Sequence, residues 1–461
     1  MSYLLRTALR SSRAAGSFAR PLSHRAFFAT EGNVTKPRPW VKQPAPELGP
    51  PPELEGPVPR GVKLGTHRME IDATGDKGRL YTLIRDSCKC SICVNPHSKQ
   101  RNFRTTDIPD NITPRSIEWV EDKLEIKWSN DIKGYDASHT STYDPATLRS
   151  PWAIARGSDI GRNRHRVDWN NEQMDTIQHW ISYNDYINDD AKFATAMRQL
   201  ALTGLIFVRD IPESREMVEK VATRMGPLRN TFYGSTWDVR TVPEAKNVAY
   251  TNAFLGFHMD LMYMNEPPGY QLLHCLQNSC DGGESLFVDG FRVAKEMAKK
   301  NPDGYNKLAK VWLNYEYNHK EHTYNNQWPV FEMEHGHLVH VNYSPPFQGP
   351  MHQMHLSGHV PRENFAALRE FAEALEKEEN TFELKLNPGE CAIFENRRVL
   401  HARRQFNTSS GSRWLAGAYV DEDAVISRFK VCRNSQMHAW RTYPQWMHVE
   451  MGRRRSLRES S

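Results

Sequence analysis

The chain has 461 residues, 39% of them hydrophobic, with a formal net charge of +5 and seven cysteines. That length suits two or three domains, and no apolar run approaches the roughly 18 residues of a membrane-spanning helix. Five arginines in the first thirty residues account for the whole positive excess. The remainder therefore carries no field that would draw nucleic acid, and cysteines this sparse do not make a disulfide framework.

The opening stretch, residues 1–30, is rich in arginine and serine, lacks acids and spaces its apolar residues as on one helical face. It predicts a mitochondrial transit peptide, hence a matrix location. Residues 31–62, dense in proline from Lys36 to Gly61, read as an extended linker. Folded structure is expected from about Val62, where "RMEIDATGDKGRLYTLIRDSC" looks like short strands separated by turns. Immediately after it, Cys88, Cys90 and Cys93 form a C-x-C-x-x-C cluster. Three thiolates at this spacing favour zinc, which takes four tetrahedral nitrogen or sulfur ligands. His139 is the expected fourth; His97 is nearer but only four residues past Cys93, where closing the ring would strain the loop. A complete Cys3His set leaves no open position, so the predicted role is structural, within a small N-terminal zinc-binding β domain over 63–150.

A tryptophan-containing connector follows, "SPWAIARGSDIGRNRHRVDW". A long second domain is expected over 170–440, ahead of a basic tail at 441–461. "FATAMRQLALTGLIFVRDIP" predicts a helix then a buried strand, and "SREMVEKVATRMG" a helix ending at Gly226. Many short apolar segments divided by Gly, Pro and Asn come next, the pattern of a β barrel or sandwich, interrupted by the amphipathic "PRENFAALREFAEALEKEE".

Within that β region stand His258 and Asp260, in "FHMD". The pair is weak alone, since His319-Lys-Glu321 and His448-Val-Glu450 have the same form. It gains weight downstream: His401 follows an apolar strand 143 residues later and Arg413 another twelve. Two histidines and a carboxylate make the facial set that leaves three positions open on iron for a bidentate 2-oxo acid and O2. The arginine offers a planar fork to a distant carboxylate.

With these motifs the chain resembles the gamma-butyrobetaine and trimethyllysine dioxygenases, from about residue 63 to 435. "CKCSIC" and "HTSTY" match that family's zinc ligands, "HMD" and the histidine of "NRRVLHARR" its iron ligands, and "GGESLFVDGF" a core strand. The resemblance implies a mainly β fold with flanking helices, a double-stranded β-helix (jelly-roll) catalytic domain behind the zinc module, and a homodimer. It implies Fe(II), 2-oxoglutarate and O2 as cofactors, ascorbate as reductant, structural zinc, and Arg413 on the 2-oxoglutarate tail. The match is closer to the gamma-butyrobetaine branch. By that match Tyr233, Trp237, Tyr250 and Tyr419 form an aromatic cage for a trimethylammonium group, and Asn247 helps position the substrate. A permanent cation makes no ordinary hydrogen bonds and is held by ring faces. The implied reaction is hydroxylation of gamma-butyrobetaine to L-carnitine. The alternatives are trimethyllysine or another trimethylammonium or carboxylate substrate and, remotely, a noncatalytic zinc and β scaffold. Three positions depart from the butyrobetaine pattern: Leu261 stands for a tyrosine, a wall that Tyr263 would have to replace, Ser344 for an asparagine and Arg397 for an indole. "YTN" at Tyr250–Asn252 is more like the trimethyllysine branch.

Overall fold

The computed structural model describes residues 47–441 except 75, 136–137, 145–147, 149–160, 163, 241–250 and 351–361. The expected transit peptide, the first half of the linker, the basic tail, Asn247 and Tyr250 lie outside the described residues. The chain divides into two compact units, Met1–Leu148 and Arg149–Ser461. Among the described residues no helix is long and apolar enough to cross a membrane.

In the first unit, β1 (Val62–Leu64), β2 (Arg68–Ile71) and β3 (Asp76–Leu80) form one antiparallel sheet, and β4 (Pro114–Val120), β5 (Lys123–Trp128) and β6 (Thr140–Tyr143) another. Strict alternation in "KLEIKW" buries Leu124, Ile126 and Trp128 on one face. Tyr81–Asp86, expected as strand, is instead a helical turn. Tyr81, Ile84 and Arg85 are all buried, and positions i, i+3 and i+4 share a face only in a helix. Tyr81 OH donates to the Gly65 carbonyl at 2.6 Å and Arg85 Nε to Asp131 Oδ1 at 2.6 Å, so tertiary contacts override the β-like composition. The turn ends at Ser87 and delivers the chain directly into the cysteine cluster.

The strands of the second unit are β7 (Trp180–Ser182), β8 (Leu205–Arg209), β9 (Thr236–Arg240), β10 (Leu255–His258), β11 (Tyr270–Asn278), β12 (Ser285–Asp289), β13 (Trp312–Asn318), β14 (Thr323–Pro329), β15 (Phe331–Glu334), β16 (His337–Val341), β17 (Phe382–Leu384), β18 (Cys391–Glu395), β19 (Val399–Arg403) and β20 (Arg413–Val420). A six-stranded sheet in the order β7-β8-β18-β11-β20-β9 and a four-stranded sheet in the order β10-β19-β12-β17 make the double-stranded β-helix. β13–β14 and β15–β16 are separate hairpins. The outer face of the larger sheet, with Leu272, Ile393, Ala416 and Ala418, packs on the helix Asp190–Thr203. Asp189 caps that helix by accepting from the amides of Ala191 and Lys192, and Gly204 ends it with a left-handed φ of 73°. The helices Met217–Met225, stopping at Gly226, and Arg362–Leu375 lie where the periodicity predicts them. Because side chains alternate across each strand, the inner faces of both sheets enclose the pocket described next.

Candidate active site

The separation of His258 from His401 disappears in the β ladder. β10 and β19 are antiparallel neighbours, and His258 is the cross-strand partner of His401. Their ring centroids lie 4.1 Å apart. Asp260, just past the end of β10, brings Oδ1 to 3.4 Å from His258 Nε2 and 3.9 Å from His401 Nε2. All three ligand atoms fall within 4.8 Å of one another, and these residues could hold one metal ion.

Each group is held in the form a metal needs. His258 Nδ1 lies 2.8 Å from the Gly256 carbonyl, which places the proton there and leaves Nε2 a lone-pair donor. Burial first, and then the neighbouring His258, pushes His401 down to about 3, so its imidazole is neutral. Burial alone would raise the Asp260 carboxyl; His258, His401 and the Tyr419 hydroxyl overcome it and hold the group below the ordinary carboxylate range. Tyr419 OH donates to Asp260 Oδ2 at 2.6 Å. Asn396, fully buried, grips the Asp260 backbone on both sides: its Oδ1 accepts from the Asp260 amide at 2.9 Å and its Nδ2 donates to the Asp260 carbonyl at 3.0 Å. The next residue, Leu261, has a φ of 58°, a left-handed conformation that a branched side chain adopts only under strong constraint.

The triad opens into a pocket of about 810 Å³, its mouth included. Two guanidiniums line it. Arg413 is buried and donates Nε to the Gly283 carbonyl at 3.3 Å, yet no acidic side chain among the described residues forms an ion pair with it. Burial pushes it down to about 10, against the pull of Cys275, Cys280 and Glu284. Arg403, two residues past His401 and opposite Ser285 in the ladder, is likewise pushed to about 10 by burial and by Arg413. Both remain cations at neutral pH, so the pocket attracts an anion. The donor set of two imidazoles and a carboxylate fits iron(II), and the arginine end, where no acidic side chain among the described residues lines the pocket, fits a dicarboxylate.

The aromatic wall differs from the expected cage. Trp237 and Tyr419 line the pocket but stack on each other, with centroids 3.9 Å apart and an interplanar angle of 24°. The indole lies flat over Gly417, where a Cβ would fall 2.4 Å from its ring. Tyr233 also lines the pocket; Tyr263 does not, being packed against Tyr317, Tyr324 and Phe347. Phe347 supplies a wall instead, beside Leu261. Of the three departures from the butyrobetaine pattern, only Leu261 borders the pocket. Arg397 lies over the Trp328 ring at 4.4 Å and donates to Asn342 Oδ1 and Glu332, while Ser344 is fully buried away from the cavity. Phe347, Asn396, Arg403 and Ser285 escape a reading by motif. Only the alternation of "SLFVD" and "VLHAR" would have placed Ser285 and Arg403 on the face of His401.

A family model described as "Taurine catabolism dioxygenase TauD, TfdA family" matches residues 171–419. The chain belongs to the TauD/TfdA family. A second model, "Gamma-butyrobetaine hydroxylase-like, N-terminal", matches residues 67–149. The dioxygenase str8 of Strobilurus tenacellus is 33% identical over 369 residues, 77% of this chain and 85% of that one. Gamma-butyrobetaine dioxygenase of Homo sapiens is 29% identical over 381 residues, 80% and 95% respectively. Mitochondrial trimethyllysine dioxygenase of Rattus norvegicus is 27% identical over 362 residues, 76% and 82%. This TauD/TfdA protein is thus a 2-oxoglutarate-dependent dioxygenase in the group of the gamma-butyrobetaine and trimethyllysine enzymes.

In the N-terminal unit of this dioxygenase, Cys88, Cys90, Cys93 and His139 converge as a second set that could hold a metal. His139 Nε2 lies 3.9, 3.4 and 3.3 Å from the three sulfurs, and its Nδ1 is 2.6 Å from Asp131 Oδ2. A carboxylate behind the histidine is the usual second partner at zinc. Arg85 Nη1 donates to Cys93 Sγ at 3.3 Å, where its charge would offset that of metal-bound thiolates. His97 is exposed and takes no part.

Proposed function

We propose that the chain hydroxylates gamma-butyrobetaine to L-carnitine in the mitochondrial matrix, with His258, Asp260 and His401 holding Fe(II) and Cys88, Cys90, Cys93 and His139 holding structural zinc. The observation that carries the reading is one pocket joining the triad, a guanidinium without an acidic partner among the described residues, and a wall of aromatic rings. Iron(II) with 2-oxoglutarate and O2 supplies the oxidising chemistry for an unactivated C–H bond. The chain's own residues do the positioning. Arg413 pairs with the distal carboxylate of 2-oxoglutarate and fixes its direction. Tyr419 and Asn396 hold the Asp260 carboxylate and backbone. Tyr233, Trp237 and Phe347 present ring faces to the trimethylammonium group, each contributing roughly 0.5 to 2 kcal/mol when desolvated, and so aim the reacting carbon.

The named activities of the relatives support a trimethylammonium acid. Trimethyllysine is the second reading: "YTN" at Tyr250–Asn252 is more like that branch, and Leu261 stands on the pocket wall where the butyrobetaine pattern has a tyrosine. Succinate release by purified protein with Fe(II), ascorbate and 2-oxoglutarate decides between them, comparing gamma-butyrobetaine, trimethyllysine and a tert-butyl analogue that keeps shape without charge. Gamma-butyrobetaine should give the highest kcat/KM and the neutral analogue should bind poorly. Preferential turnover of trimethyllysine, or equal use of the neutral analogue, would overturn the assignment.

A further inference from the structure

Gln271 is a polar pocket residue whose side chain has no hydrogen-bond partner among the described residues. It lines the cavity, is 2% exposed, and its Oε1, an acceptor, is buried without a hydrogen bond, so a half-turn of the carboxamide that puts the Nε2 donor in its place breaks no hydrogen bond among the described residues. Burying an amide unpaired lowers stability, and an inward-facing leucine at this position would avoid that loss.

Its place in the ladder says what the amide faces. On β11, Tyr270 and Leu272 point to the helix-facing core, whereas Gln271 and Leu273 point into the pocket. Gln271 pairs in register with Phe394 on β18 and with Tyr419 on β20. The Phe394 ring lies 4.9 Å from that of His401, and Tyr419 holds Asp260. The carboxamide is therefore flanked by two residues that touch the triad. Arg413 is at the opposite end of β20, paired with Asn278. A dicarboxylate whose far end meets Arg413 turns its other end towards the triad and so towards Gln271.

We propose that Gln271 donates a hydrogen bond to the triad-side carboxylate of 2-oxoglutarate. The inference rests on reading this pocket as the iron and 2-oxoglutarate site. It makes Gln271 a cosubstrate-binding residue that acts through its Nε2–H donor, with an amide left unpaired in the pocket as a stability cost.

The test combines an affinity with a stability. Full-length protein loaded with Fe(II) under anaerobic conditions is titrated with 2-oxoglutarate while the metal-to-ligand charge-transfer absorption is followed; Fe(II) binding and the melting temperature are measured separately. Gln271→Leu should weaken 2-oxoglutarate about tenfold to a hundredfold, the loss of one hydrogen bond to a charged group. Fe(II) affinity should stay the same, and the melting temperature should be unchanged or higher. Gln271→Met, which keeps length and flexibility, repeats the measurement if leucine packs badly. Unchanged 2-oxoglutarate affinity in a variant that folds overturns the proposal. If it comes with a raised KM for the trimethylammonium substrate, the amide serves that molecule's carboxylate instead; if it comes with a lowered melting temperature, Gln271 is only a packing residue. Absence of the absorption band in unmodified protein would sink the parent reading of the site rather than the role of Gln271.

Discussion

Replacing Tyr419 by phenylalanine removes a single oxygen atom and separates two roles of one side chain. The ring stacks on Trp237 at 3.9 Å, and the hydroxyl donates to Asp260 Oδ2 at 2.6 Å. Burial, reinforced by the Asp260 charge, raises the phenol well above its usual range, so the proton stays on oxygen and the donor is permanent at any working pH. Phenylalanine keeps the stack and the pocket wall but leaves the Asp260 oxygen without its partner. A buried hydrogen bond to a charged acceptor is worth about 1.5 to 3 kcal/mol, and outer-shell partners of metal ligands typically change metal affinity about 10- to 100-fold. Tyr419→Phe should therefore weaken Fe(II), or Mn(II) as a stable surrogate, within that range. With saturating metal, KM for the trimethylammonium substrate should move less than about threefold, because one ring face is as good as the other for a cation. The assay is a metal titration by calorimetry paired with steady-state kinetics at high Fe(II). Unchanged metal affinity together with a large rise in substrate KM would refute the reasoning and return Tyr419 to a purely cage role.

Asn396→Ala deletes bonds to the Asp260 amide, the Asp260 carbonyl and the Pro268 carbonyl. It should lower both metal affinity and folding stability, the latter by about 2 to 3 kcal/mol in denaturant titrations; normal stability would show that the clamp is dispensable. In the N-terminal unit, metal analysis should find about one zinc per chain apart from iron. Cys90→Ser should lose it with a larger effect on melting temperature than on kcat, and Asp131→Asn should weaken zinc roughly tenfold through His139. A zinc-free protein that is stable and fully active would exclude the site.

Much of this dioxygenase is readable from local pattern. The cysteine cluster and the His258/Asp260 pair are short-range spacings, and the helices Met217–Met225 and Arg362–Leu375 follow from 3.6-residue periodicity with glycine and polar ends. Residue type at these positions already limits the chemistry, because only certain side chains ligate metals or hold carboxylates. What stands opposite what is a different matter. The pairing of His258 with His401, of Ser285 with Arg403 and of Gln271 with Tyr419 depends on ladder registers between strands far apart in the chain. A shift of one residue would turn each of them to the other face. The same long-range packing put Phe347 rather than Tyr263 on the pocket wall, set Arg397 against Trp328 away from the pocket, and wound Tyr81–Asp86 into a helical turn. Local composition determined which groups were available to bind metal and substrate. Register and packing, set by contacts between residues more than a hundred positions apart, decided which of them face the cavity.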